Sequence, residues 1–166
     1  MDSMLGRIVA TVLTLMAIGA AVVYIHGGFS WNKNANVASD ITWVVTNART
    51  QFAQNSNGYT NFLNANLTAM NNSAVFPPDM VRNGVLIDAW GNDVTVSSAG
   101  NASEGVIAFG GGGSENVEQC SNVVTTLRDY VSLQVGGTTF TQATLPDSVS
   151  AGNACGNGLA ITLTFQ

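Results

Sequence analysis

Apolar positions follow three rhythms along the chain. From Ile8 to Ile25 the run IVATVLTLMAIGAAVVYI is unbroken and carries no charge, which is near the lower limit for a helix that crosses a bilayer. A cleaved signal peptide has a shorter apolar core and a small-residue cleavage site, followed by unrelated sequence. Here the helical pattern resumes after Gly27-Gly28. Val37, Ile41, Val44, Val45, Ala48 and Phe52 recur at helical spacing, while Asp40, Thr42, Asn47, Arg49 and Gln51 fall off that stripe. The pattern predicts one long helix from about Ser3 to Gln54, broken or flexed near the glycine pair. At about 1.5 Å per residue it would reach roughly 75 Å unbroken, so half of it must protrude from any small domain. A protruding apolar helix needs lipid or identical helices around it. Ala10, Ala17, Gly19, Ala20 and Ala21 allow close helix approach; the plainer alternative is a single-pass anchor.

Past Asn55-Ser56-Asn57-Gly58 the rhythm shortens. Asn61 to Asn71 reads as a short helix with Phe62, Leu63, Leu67 and Met70 inward, closed by Pro77-Pro78. Short strands follow at Val85 to Ile87, Asp93 to Ser97 and Val106 to Phe109, and Gly110 to Ser114 is a turn. Ser114 is then the expected cap of a helix with Glu115 and Glu118 in its first turn and Arg128 in its last. Its expected buried face is Val117, Cys120, Val124, Leu127 and Val131, and Gly136-Gly137 is its expected end. Thr138 to Thr144 is a strand candidate. The last strand alternates cleanly, with Leu159, Ile161, Leu163 and Phe165 on one face. The expectation is an α+β fold, an antiparallel sheet packed on the amphipathic half of the first helix. Three segments follow: 1–28, a hydrophobic membrane or filament-core helix; 29–54, the amphipathic half of that helix; and 55–166, a globular head.

Composition narrows the function. The 166 residues are 46% hydrophobic and only 9% charged, against about 25% charged in typical domains. Asn, Ser, Thr and Gly therefore cover the surface, which suits a protein whose surfaces meet copies of themselves. The net charge is −5 with five Lys and Arg in all, too few for a basic patch, so direct nucleic-acid binding is not expected. Cys120 and Cys155 lack metal-ligand spacing. They read as one disulfide of an exported protein, the alternative being two buried thiols.

Together these features resemble the type IV pilin family, most closely its type IVb branch with the thin-pilus, PilS-like members. The resemblance rests on the N-terminal segment MDSMLGRIVATVLTLMAIGAAVVYI, on PPDMVRNGVLIDAWGNDVTV at Pro77 to Val96, and on the late pair Cys120 and Cys155. Asp88-Ala89-Trp90-Gly91-Asn92 is similar to the D-x-W-G-N turn that leads into a sheet hairpin in many pilins and pseudopilins. The cysteine pair resembles the one that closes the pilin C-terminal region. The resemblance implies a major pilin that polymerises through its N-terminal helix into a helical surface filament for adhesion, aggregation or conjugative mating contact. It implies an inner-membrane stage before assembly, a prepilin peptidase that trims and often methylates the N-terminus, and an assembly ATPase. Met1 reads either as the processed terminus or as a start codon. The family's usual Glu at the fifth mature position is replaced by Leu5, and its helix-breaking proline is absent. Asp2 is then the carboxylate expected to pair with an N-terminal amine or with Arg7, because a buried unpaired ammonium is costly. Gly19 or Gly27-Gly28 would supply the missing flexibility. The assembly residues expected on this basis are Met1, Asp2, Leu5, Arg7, Gly19, Gly27 and Gly28.

Chemistry has little to build on. His26 is the single histidine. Gly110 to Ser114 lacks the spacing of a phosphate loop. Asp79, Asp88 and Asp93 suit turn capping better than hydrolysis, and Asp147, Asn153 and Asn157 fall in an expected polar loop without EF-hand spacing. No cofactor, metal or enzymatic activity is expected. Trp31 suits a lipid–water interface, and Trp43, opposite Ile41, is expected to face outward toward another subunit. Asn66-Leu67-Thr68, Asn71-Asn72-Ser73 and Asn101-Ala102-Ser103 are glycosylation sequons. The competing functions are a secretion-system pseudopilin and a monomeric membrane-anchored binding module.

Overall fold

The computed structural model describes residues 32–166. Met1, Asp2, Leu5, Arg7, Gly19, Gly27 and Gly28, together with His26 and Trp31, lie outside the described residues. Helix α1 covers residues 32–48 and passes into a single π-helical turn at Arg49–Ala53. Its stripe is the expected one: Val37, Ile41, Val44, Val45 and Ala48 are buried. Short turns at Gly58–Asn61 and Asn64–Asn66 lead into α2, Leu67–Asn72. A small hairpin follows, β1 (Val81–Arg82) with β2 (Val85–Leu86).

The main sheet has five antiparallel strands in the order β3-β4-β7-β5-β6. These are β3 (Thr95–Ala99), β4 (Glu104–Gly110), β5 (Ser132–Val135), β6 (Thr138–Thr141) and β7 (Ala160–Phe165). The chain's final strand is thus the central one. Its register sets Leu163 opposite both Ile107 and Leu133, and Ile161 opposite Phe109 and Val135. All six are buried and join the α1 stripe in one continuous core, as alternation predicts for a sheet with one covered face. At the far end of α1, Tyr59, Phe62 and Phe165 meet edge-to-face at centroid distances of 5.4–6.1 Å. The Arg49 guanidinium lies over Phe165 and donates to the carbonyls of Gln166 and Asp129. This ties the helix end to the sheet end.

Each outer strand of the sheet receives a local hydrogen bond from the chain itself. On β3, Val96 N–H donates to Asn64 Oδ1 at 2.7 Å. On β6, Thr141 N–H donates to Thr144 Oγ1 at 3.1 Å, and Thr144 N–H returns to Thr141 O at 3.0 Å.

The second half of the chain corrects several expectations. Helix α3 is Val117–Thr126, and its cap is Asn116, not Ser114. Asn116 and Gln119 form a reciprocal capping box, which satisfies two orphan N–H groups at once. Glu115 precedes the cap, and Arg128 lies beyond the last turn. The helix stops ten residues before Gly136 because Leu127 turns extended and Asp129 adopts a left-handed φ of 59°. Ser132–Val135 then pairs with β7 instead, and Gly136-Gly137 makes the two-residue β5–β6 turn with φ of 52° and 82°. Two positive φ values in succession are what such a hairpin requires. Cys120, Val123, Val124 and Leu127 form the buried face of α3, whereas Val117 and Val131 are exposed.

The expected polar loop at 147–157 is a helix, α4 (Ser148–Asn157). Gly152 and Gly156 weaken its intrinsic propensity. A second capping box, from Asp147 and Ser150, starts it, and burial of Ala151, Ala154 and Cys155 holds it. Cys155 therefore sits on a helix, and Cys120–Cys155 joins two helices rather than a helix and a loop.

Candidate assembly surface

The face of α1 turned away from the core carries Ala35, Ser39, Thr42, Trp43 and Thr46. Trp43 is 51% exposed. With Ala38, Asn47 and Thr126 of α3 these residues line a shallow groove of about 730 Å³. The Thr42 and Thr46 hydroxyls on this face are not free. Thr42 donates to Ala38 O at 2.7 Å, Thr46 to Thr42 O at 2.8 Å and Thr50 to Thr46 O at 2.9 Å. Asn47 donates to Trp43 O at 3.0 Å. Each donor bonds back one turn along the helix. Water can be removed from these bonded groups at small cost, because each keeps its partner.

Asp40 lies one helical turn before Trp43. Burial, and then the nearby Asp79 carboxylate, push the Asp40 carboxyl up to about 6. The α3–β5 connection, which follows the groove residue Thr126, carries Arg128 and the exposed Val131. Arg128 donates to its neighbour's carbonyl, Leu127 O, at 2.7 Å.

The start of α1 is clamped by the Asp88–Asn92 turn. Trp90 is buried, and its Nε1–H donates to Asn34 Oδ1 at 3.1 Å. Lys33 Nζ donates to Ser114 Oγ at 2.9 Å, and that hydroxyl donates to Trp90 O at 2.9 Å. Beneath them Asp88, 1% exposed, accepts from the backbone N–H groups of Trp90, Asn92 and Gly110 at 2.8–3.0 Å and from the Asn92 side-chain amide. Glu115 accepts from Gly111 and Gly112 N–H at 2.7 and 2.8 Å and from the same Asn92 amide at 3.1 Å. Burial pushes the Glu115 carboxyl up, but the N–H groups of the glycine turn and the Asn92 amide outweigh it, and the net direction is down. Both carboxylates are engaged by N–H donors. Their work is to pin the glycine turn and the Trp90 anchor.

The other residues singled out from sequence have equally structural places. Asp93 bridges Ile87 across the turn, Asp79 lies beside Asp40, and Asp147 caps α4 while Asn153 and Asn157 are exposed on it. Among the described residues no group of three or more His, Cys, Asp or Glu side chains is placed to hold a metal ion. None of the described helices is long and apolar enough to cross a membrane. Sequence reasoning missed Asn34, Glu115 and Arg128 in these roles. Only the tertiary approach of α1 to the glycine turn and to the end of α3 gives them their partners.

Comparison with known proteins bears directly on this arrangement. Among curated proteins none matches the chain. A type IVb pilin from Salmonella typhi, known as a crystal structure, has the same fold, with a TM-score of 0.53 at 13% identity, over 80% of this chain and 97% of that one. The sequence model of the family described as PilS N terminal matches residues 31–166. The long amphipathic helix, the antiparallel sheet, the disulfide-closed C-terminal region and that match together make this chain a member of the PilS family, a type IVb pilin-like structural subunit.

Proposed function

We propose that the chain is the major subunit of a type IVb pilus, polymerising through its N-terminal helix into a surface filament for adhesion, aggregation or conjugative mating contact. The observation that carries this reading is α1 itself. One face is fully committed to the core of its own head. The opposite face is uncharged, presents an exposed tryptophan and has its threonine and asparagine donors already bonded one turn back. Such a face tolerates burial against another protein at small desolvation cost. The apolar run at Ile8 to Ile25 would occupy the inner membrane first and the filament core afterwards, with 1–28, 29–54 and 55–166 acting as core helix, amphipathic half and head. Close packing through Gly19 and its small neighbours, and bending at Gly19 or Gly27-Gly28, would suit that exchange. Met1, Asp2, Leu5 and Arg7 form its charged edge, where Asp2 answers an N-terminal amine or Arg7 in place of the carboxylate that Leu5 lacks. A prepilin peptidase and the pilus assembly machinery would act before and during polymerisation.

The test is to shear surface fibres from the producing cells, identify their subunit by mass spectrometry and reconstruct them by cryo-electron microscopy. Fibres built from this chain, with residues 8–25 packed among neighbouring copies, are the expected result. A strictly periplasmic location would select a secretion pseudopilin. A membrane-bound monomer that works without residues 5–25 would select an anchored binding module.

A further inference from the structure

Three Asn-Gly steps occur along the chain: Asn57-Gly58, Asn83-Gly84 and Asn157-Gly158. All three asparagines are exposed, yet their glycines are held very differently. Gly58 N–H donates to Asn55 O at 3.0 Å, and a Cβ on Gly58 would collide with Ala102 O. Gly158 N–H donates to Cys155 O at 3.3 Å, and a Cβ there would lie 3.3 Å from Gly136 Cα. Gly84 is the contrast. A Cβ on it would meet nothing within 4 Å, and among the described residues no oxygen accepts from its N–H.

The hairpin accounts for both the residue pair and its freedom. Asn83 and Gly84 are the two central residues between Arg82 and Val85, the last pair of the β1–β2 ladder, and their φ values are 52° and 79°. Two successive positive φ values favour Asn-Gly at such a turn. Each strand is only two residues long, and short exposed elements open locally at low free energy. The sequence that suits the turn therefore also sets an asparagine side-chain amide beside a backbone nitrogen that no Cβ shields.

We propose that Asn83-Gly84 is a self-modification site, at which the chain deamidates while folded. Gly84 N attacks Asn83 Cγ. The N–Cγ bond forms as the Cγ–Nδ2 bond breaks, and Nδ2 leaves as ammonia with the proton from Gly84 N. Water then opens the succinimide ring at either carbonyl, which leaves aspartate or isoaspartate at position 83. Both products add one negative charge to a chain whose net charge is −5. Isoaspartate also lengthens the backbone by one atom. Register in a hairpin is fixed by the length of its turn, so the Val81–Leu86 and Arg82–Val85 pairs loosen, together with the adjoining bond from Ile87 N–H to Met80 O. The reaction needs only the folded hairpin and does not depend on polymerisation.

The experiment uses the full chain, purified and folded in detergent and incubated in mildly alkaline buffer. Proteolytic peptides are mapped over time by mass spectrometry, and isoaspartate is read by enzymatic methylation. Position 83 is expected to convert about tenfold faster than positions 57 and 157. In urea the three should convert at similar rates, because the fold no longer distinguishes them. Asn83→Gly, which puts a residue at ease with positive φ in the turn, should remove the hairpin's signal and leave the other two unchanged. The isoaspartate-containing fraction, separated by ion exchange, should exchange the Ile87 amide hydrogen faster than the unmodified chain does, with α3 unaltered. If position 83 of the folded chain converts no faster than positions 57 and 157, the site is wrong. If it converts ahead of them but exchange at Ile87 is unchanged, the loosening of the hairpin is wrong.

Discussion

Asp88 shows how one buried side chain organises a whole corner of the head. It accepts three backbone N–H groups and one side-chain amide from residues up to 22 apart in sequence. Asp88→Ala leaves those donors buried without partners, and a buried orphaned donor costs about 1–3 kcal/mol. The variant should lose at least ~3 kcal/mol in urea denaturation and should expose Trp90, seen as a red shift of its fluorescence. Glu115 gives a pH prediction with a definite sign. Its folded value lies below the ordinary 4.5, so its contribution is fully present above about pH 4.5 and disappears as pH falls through the lower folded value. Denaturation midpoints should be level above that point and fall in acid. Glu115→Gln should flatten the acid limb, with little change in its slope elsewhere.

Among the elements, α3 and α4 carry the clearest lesson about what sequence can reveal. The α1 stripe and β7 are legible because each follows a single rhythm, and the structure buries the positions that rhythm selects. Ser132–Val135 is harder. Val124, Leu127 and Val131 continue a helical spacing, and only pairing with Ile161 and Leu163 converts the segment into strand β5. Helix α4 is harder still, since Gly152 and Gly156 argue against a helix. The Asp147 and Ser150 capping box was its one local signal, and it resembles any polar loop. The disulfide supplies what propensity lacks. It spans 35 residues of sequence, worth roughly 3–4 kcal/mol in the chain-entropy account. Replacing Cys120 and Cys155 together by Ser should lower stability by about that amount, read from denaturant midpoints. Hydrogen exchange should rise first in α4, the helix with the weakest propensity of its own. Of the assembly surface, the outward placement of Trp43 was legible from helical phase alone. The pairing of Asp40 with Asp79 was not, because those residues meet only when the segment after Pro77-Pro78 folds back beside α1.

For the molecule as far as it is described, the α1 stripe, the Trp90 clamp and the disulfide-joined helices share one core, and α1 keeps an exposed outer face. On the proposed filament reading, a polymer of such heads would owe its strength to many repeated contacts, because lipid would already shelter the apolar run before assembly. On the proposed role of the N-terminal edge, Asp2→Ala should reduce the yield of sheared filaments while leaving the folded, disulfide-bonded subunit in the membrane fraction. Unchanged assembly would remove Asp2 from that role. The self-occupied sheet borders have a separate consequence. Asn64 covers one outer strand, and the Thr141–Thr144 pair closes the end of the other. A protein concentrated into a polymer risks annealing strand to strand into amyloid. The local bonds at both borders work against that route, so fibres formed on the proposed reading should neither bind thioflavin T nor diffract with a 4.7–4.8 Å meridional repeat.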